Sequence, residues 1–467
     1  MSTGKKRDGK TKAERHPWRD NIEAVTMAII MAVMLKYFIV EAYKIPTGSM
    51  QPTLMGNEET QMFDRILVDK LSFHLRDPER FEIVVFKYPL DLSKNFIKRL
   101  VGVGPEELKV DYGDLWHRPE GESDWRVLRR PRSVQHATWK PLYPGAPGSK
   151  GWKVLAGEGG WSASRDEVTA RGTGSVRFPD SGLVVDNYRD GYPLAYRDKI
   201  QRRATGSRLV GDLRVEGEVE ALSGCNSVSV QLREGDRRYF FDLPGPAAAA
   251  EARPSLRIEG LEDGERDRVV HLDRAWRLPA GGAVRFGAQN MDDLLSFEID
   301  GEVVLEAEVP KAADQSAFLY LHVDGEGADF SDLMVYRDIY YVSDTQKTTY
   351  WKIPAGHYVM LGDNTQDSSD GREWTWKMYD LPGRGALRGN LRLNEENPRT
   401  VRGLPGGNQV WFRDEWGELY HWNQGEARDA GQEPAPFVPR ELITGRAVVV
   451  FWPIKWGLRT WRLQWIR

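Results

Sequence analysis

Ser49 and Lys98 are the residues of this 467-residue chain whose types and settings point most directly to chemistry. Ser49 stands in Ile45-Pro46-Thr47-Gly48-Ser49-Met50-Gln51-Pro52-Thr53-Leu54, and Lys98 in Phe96-Ile97-Lys98-Arg99-Leu100-Val101-Gly102. A serine hydroxyl attacks only when something takes its proton, and a lysine takes it only as the neutral amine, which requires burial to lower its pKa. Phe96, Ile97, Leu100 and Val101 supply that apolar setting. Arg99 alternates with Lys98 along an extended chain and so faces the other way, toward solvent or a carboxylate. Gly48 permits a tight turn that leaves the Ser49 amide aimed at a developing oxyanion, with the Thr47 hydroxyl as a second donor. This is the outline of a Ser-Lys dyad hydrolase. Each half also has an ordinary reading, since Gly-Ser after proline is a common turn and lysine among hydrophobics a common exposed residue. His357, in a Gly-His-Tyr loop, is the nearest candidate for a histidine triad; that triad needs an orienting carboxylate within reach, and His357 reads as structural or exposed.

The elements that would position these residues lie at the two ends of the chain. Phe63–Lys70 and Phe81–Tyr88 are short β-branched and aromatic runs ended by turn residues, and Val359–Leu361 and Ala447–Trp452 read the same way. They are expected to pair into one sheet system. Upstream, Ala24–Val40 is one apolar stretch, with Lys36 able to snorkel, and a basic run (Lys5, Lys6, Arg7, Lys10, Lys12, Arg15, Arg19) precedes it. The positive-inside rule then places the N-terminus in the cytoplasm and everything after about residue 42 outside. A cleavable signal peptide competes, but no small-x-small site follows Val40; a buried core helix is the other alternative.

Composition bounds the rest. With 40% apolar residues the chain has enough to bury a core, and a mixed charge summing to −4 excludes the broad basic face of a nucleic-acid binder. The lone Cys225 reads as core filler, and no Cys/His cluster has metal-ligand spacing, so neither metal nor cofactor is expected. The middle has its own strand pattern: Val228–Leu232, Leu295–Ile299, an Asp300-Gly301 hairpin turn, and Phe318, Tyr320 and His322 alternating with Leu319, Leu321 and Val323. This predicts a jelly-roll β-sandwich, serving as spacer, interaction surface or glycan binder. The expected order is a basic tail (1–21), a transmembrane helix (22–42), catalytic segments (43–111, 342–372 and 437–467), an insertion of unreadable type (112–204), the sandwich (205–341) and a second insertion (373–436).

The Ser49 run closely resembles the nucleophile box of bacterial type I signal peptidases, the Lys98 run resembles their general-base box, and Ile353–Asn364 resembles the lead into their last box. The resemblance extends to Asp64–Lys70, Ile83–Pro89 and Phe437–Pro453, fewer than half of the residues in all. It implies a strongly twisted all-β catalytic domain; with the sandwich inserted into it, the whole chain is expected to be mainly β. It implies Ser49 as nucleophile, Lys98 as general base, and the Thr47 hydroxyl with the Ser49 amide as oxyanion hole. Ser368 falls where the family places a serine that hydrogen-bonds the lysine, and Asp370 and Arg372 on a structural charged pair. Implied partners are preprotein signal peptides, cleaved after small-x-small sites, the lipid bilayer of the inner membrane and the export machinery. The chain departs from the family in having Thr365-Gln366-Asp367 where Arg-Asp-Asn is favoured, Gly371 for serine, and Phe81-Glu82 for Gly-Asp. Two other readings stand beside this one. A self-cleaving repressor-type Ser-Lys peptidase would need a DNA-binding module in place of the apolar helix. A catalytically silent, membrane-anchored envelope protein whose sandwich binds glycan or protein would leave Ser49, Lys98 and Ser368 as coincidence.

Overall fold

The computed structural model describes residues 17–466 except 145–150, 158–159, 165–166, 198, 201–205, 207, 262–265, 314, 343–348, 393–396, 406 and 456–459. The basic residues from Lys5 to Arg15 therefore lie outside the described residues. Pro17–Met34 is α-helical and runs on as a π-helical turn, Leu35–Ile39. Within it, Asn21–Ile39 is long and apolar enough to cross a membrane, and none of it is buried against the protein. The helix ends at Ile39 rather than residue 42 because Val40–Lys44 is taken into a sheet, pairing antiparallel with Arg65–Asp69 from Val40 opposite Asp69 to Lys44 opposite Arg65.

That sheet joins the two ends of the chain. Its order is Val40–Lys44, Arg65–Asp69, Ile443–Trp452, Ile83–Tyr88, Asp91–Val103, His357–Leu361 and Phe437–Pro439. Ile83–Phe86 is buried throughout, which explains a continuous rather than alternating apolar run. Phe73, Phe86, Leu100 and Met360 form one core cluster; Leu54, Ile66, Val85 and Val450 form another. In the long strand Asp91–Val103, Lys98 lies opposite Val84, and Arg99 opposite Ile83 on one side and Leu361 on the other. A small four-stranded sheet, Tyr350–Ile353, Glu106–Asp111, Asp114–Pro119 and Arg126–Val127, completes this body, packing Leu108 and Trp351 against Val101 and Val359.

The middle of the chain folds as a β-sandwich. One sheet is built around Gly327–Arg337, Leu213–Ala221 and Ala283–Met291, the other around Ala317–Gly325, Cys225–Glu234 and Arg237–Pro244. Strands from Lys140–Tyr143 through Gly174–Phe178 join these sheets, so part of the stretch whose sequence is unreadable belongs to the sandwich. These strands are only four or five residues long, too short for alternation to announce them. Asp300 and Gly301, at φ 51° and 82°, form the two-residue hairpin between Leu294–Ile299 and Glu302–Glu308, both in the left-handed region that Asp-Gly favours. Cys225 is buried in the sandwich core. Between Thr375 and Pro434 two further three-stranded sheets enclose Tyr379, Phe412 and Trp422.

Candidate active site

The fold brings Ser49 and Lys98 together: Ser49 Oγ is 2.8 Å from Lys98 Nζ, and both side chains are buried. Lys98 reaches this point because its strand is central in the sheet, where water is excluded. Burial lowers its amine to about 8, against the opposing pull of Asp370 and Asp363. The Phe96 ring lies 5.6 Å from Nζ. Thr47 Oγ1 lies 3.4 Å from Ser49 Oγ on the same loop, and the Ser49 N–H has no acceptor among the described residues.

Asp363 and Asn364 clamp the Ser49 loop. Asn364 N–H donates to the Ser49 carbonyl at 3.1 Å, and Asn364 Nδ2 to the Gly48 carbonyl at 3.0 Å. Next to it, Asp363 receives two hydrogen bonds from Arg99, at 2.8 and 2.7 Å, and one from Thr53 at 2.5 Å. The residue beside Lys98 therefore meets a carboxylate, and that carboxylate ties the Lys98 strand to the segment that carries Ser49 and Thr53. Arg99 also donates to the Phe81 carbonyl at 2.7 Å. Phe81 sits at φ 71°, a conformation that costs a non-glycine residue about 1–2 kcal/mol; this is where the family favours glycine. Its ring is buried in the core beside Leu108 and Leu361, which offsets the strain.

Asp370 and Arg372 form a fully buried pair with contacts at 2.8 Å, and Asp370 also accepts the Gly362 N–H at 3.0 Å. Burial alone raises the Asp370 carboxyl, but the adjacent Arg372 charge more than reverses this and holds it below the ordinary range. Ser368 is buried next to Gly362, where an added Cβ would lie 2.1 Å from Ser368 Oγ and 2.5 Å from the Ser49 carbonyl. The Ser368 hydroxyl makes no hydrogen bond among the described residues, so it stands beside the dyad without a hydrogen bond to Lys98. His357 lies away from the dyad, its Nδ1 3.1 Å from the Ala355 carbonyl.

Sequence reasoning missed the contribution of the insertion. A Cβ on Gly48 would lie 2.7 Å from Gln51 Nε2 and 3.2 Å from the Tyr192 hydroxyl, so close approach rather than turn conformation favours glycine there. Tyr192 Oη accepts from Asn57 Nδ2 at 3.1 Å and lies 2.8 Å from Tyr188 Oη, which donates to Asp367 at 3.4 Å. Arg337, at the end of a sandwich strand, holds this segment through Asp190 at 2.7 Å and the Asn187 carbonyl at 2.8 Å. No local motif signals these contacts.

Asp114, Asp212 and Asp292 converge where the sandwich meets the body, their oxygens within 4.8 Å of one another. Lys311, bonded to Asp114, and Arg130 supply positive charge there, and burial together with Asp114 pushes the Asp292 carboxyl up to about 7. The cluster thus has cations of its own.

The sequence model of the signal peptidase family, peptidase S26, matches residues 18–118 and 297–387, leaving most of the sandwich unmatched. A probable signal peptidase I-2 of Synechocystis is 40% identical over 105 residues, 21% of this chain and 45% of that protein. The probable signal peptidase I-1 of the same organism is 29% identical over 126 residues, 25% of this chain and 61% of that protein. The chain thus spans about half the length of these relatives. Among solved structures, carbohydrate-binding module CBM66 from Bacillus subtilis is 12% identical, covering 40% of this chain and 96% of that one at a TM-score of 0.26, a likeness too slight to bear on function.

Proposed function

We propose that this chain, which matches the signal peptidase family model over residues 18–118 and 297–387, is a membrane-anchored serine endopeptidase that removes signal peptides from exported preproteins through a Ser49–Lys98 dyad. One observation carries the reading: a serine hydroxyl lies 2.8 Å from a buried amine whose pKa is lowered to about 8. In the proposed sequence, neutral Lys98 takes the Ser49 proton as Oγ adds to the scissile carbonyl, and the Ser49 N–H and Thr47 hydroxyl meet the oxyanion. Collapse expels the new amine, which takes the proton from Lys98. The lysine, neutral again, then deprotonates the water that hydrolyses the ester.

The substrate enters as an extended strand, with small side chains at the last and third-last positions before the cleaved bond. The N-terminus lies in the cytoplasm, Asn21–Ile39 spans the inner membrane once, and the body lies outside. Ser49 is ten residues beyond Ile39, a reach of at most about 35 Å fully extended, so cleavage occurs near the bilayer surface. The test is cleavage of a signal-bearing preprotein by detergent-solubilised wild type, Ser49→Ala and Lys98→Met, with the new N-terminus sequenced. Cleavage after a small-x-small site, lost in both variants, is expected; folded wild type inert on several preproteins would sink the proposal.

A further inference from the structure

The sandwich docks on the catalytic body by one sheet and leaves the other open. On the docking sheet, Glu298 and Glu306 meet Arg132 at 3.3 and 2.8 Å, and Gln289 meets Gln135 at 3.4 Å; Arg132 and Gln135 both lie on the short helix Arg132–Thr138, whose Val134 shares the body's core cluster with Leu108 and Trp351. On the open sheet, the elements in substantial contact among the described residues are its own strands and those of the partner sheet. Its core-facing residues, such as Leu321, Val230 and Phe241, are fully buried, and period-two alternation turns their neighbours outward.

These outward residues form a ladder. Arg177, Tyr320, Gln231, Phe240 and Arg257 lie opposite one another on five consecutive strands, a row about 19 Å long at the usual strand spacing. His322 stands beside Tyr320 with the two rings nearly parallel, 12° apart at 5.9 Å, and its Nε2 is 2.8 Å from Gln231 Oε1. Arg257 covers the Phe240 ring at 4.2 Å and donates to Asp242 at 2.6 Å. The side chains are held by one another, so a ligand has little ordering entropy to overcome. Among them the Ser229 hydroxyl is buried and without a partner among the described residues.

Planar rings alternating with fixed amide, hydroxyl and guanidinium groups match a ligand that is apolar on its ring face and hydroxylated at its rim. Charge narrows the class. Arg257 is neutralised by Asp242 and Glu259. Arg177 and Arg233 donate only to backbone carbonyls and have no carboxylate partner among the described residues. Both flank the aromatic row: Arg177 lies over Phe318 at 5.3 Å, and Arg233 lies opposite Phe318 in the register.

We propose that this open sheet face binds an acidic oligosaccharide, its rings on Tyr320 and His322 and its carboxylates on Arg177 and Arg233. The site is independent of the dyad. The test is calorimetric titration of the full-length protein in detergent with oligogalacturonate, a neutral cello-oligosaccharide and polyglutamate. Binding of oligogalacturonate alone is expected, weakened at least tenfold by Tyr320→Ala and by Arg177→Gln, with melting temperature and peptidase activity unchanged. No binding, equal binding of the neutral sugar, or polyglutamate binding that Tyr320→Ala leaves intact would each overturn it.

Discussion

In the catalytic body, Arg99 with Asp363, Arg372 with Asp370, and Lys98 are sealed from water, whereas the interior between the sandwich sheets is apolar, built from residues such as Val230, Phe241, Phe297 and Leu321. Both regions are antiparallel β structures. An apolar core tolerates small shifts, since its contacts are non-directional. A buried ion pair does not, because misalignment leaves an uncompensated charge in a low-dielectric interior. The body has accepted that cost at the place where a serine and a lysine must meet within hydrogen-bond distance, and the clamp from Asp363 and Asn364 is the result.

The widest break in this comparison comes from one substitution in each region. Asp363→Ala leaves Arg99 buried without its carboxylate and is expected to cost about 3–5 kcal/mol of stability, with loss of activity in whatever remains folded. Leu321→Ala opens a cavity in the sandwich and is expected to cost about 2–5 kcal/mol, yet leave activity per folded molecule near that of wild type. Chemical denaturation followed by turnover measured on the folded fraction separates the two; equal loss of turnover in both variants would erase the distinction.

The next effect is on pH. Because burial lowers Lys98 to about 8, the active neutral amine is scarce below that pH and predominates above it. Turnover on a preprotein is therefore expected to rise about tenfold per pH unit below the midpoint and level off above it. A profile flat from pH 6 to 9 would remove Lys98 from the role of base. The same depression has a stability sign: between about 8 and the unfolded lysine value the unfolded chain binds more protons than the folded one, so this group favours folding increasingly as pH rises through that window.

The smallest expected effect tests where the two regions meet. Tyr192→Phe removes the hydroxyl that accepts from Asn57 and contacts Tyr188, while its ring still packs with Met55 and Met62. Turnover is expected to fall by about two- to tenfold with KM unchanged, as suits a positioning residue. Unaltered turnover in steady-state assays would make the sandwich linker a bystander to the nucleophile loop.

Much of this was legible in the chain itself. Period-two alternation in Phe318–Val323, the Asp300-Gly301 turn and the apolar run Ala24–Val40 depend on local sterics and on the burial of one face, and neighbouring residues report both. The Ser49 and Lys98 settings were legible for the same reason. The strands Lys140–Tyr143 and Gly174–Phe178 were not, because such short strands take their conformation from the partners they pair with. The Phe81-Glu82 departure carried no local sign of its role; the positive φ of Phe81 and the Arg99 hydrogen bond to its carbonyl show a strained residue inside the site's support.

The sequence by itself determined which residue types were available: a serine after a tight turn, a lysine among hydrophobics, and a last box rich in Asp, Asn and Ser. Only the tertiary structure decided that Asn364 bonds the Ser49 loop, that Ser368 stands close by without a hydrogen bond to Lys98, and that Tyr192 from the insertion backs Gly48. The physical reason is distance along the chain. Such contacts join residues separated by roughly 140 to 320 positions, and their geometry follows from strand register and close packing of the whole body, which no local stretch encodes.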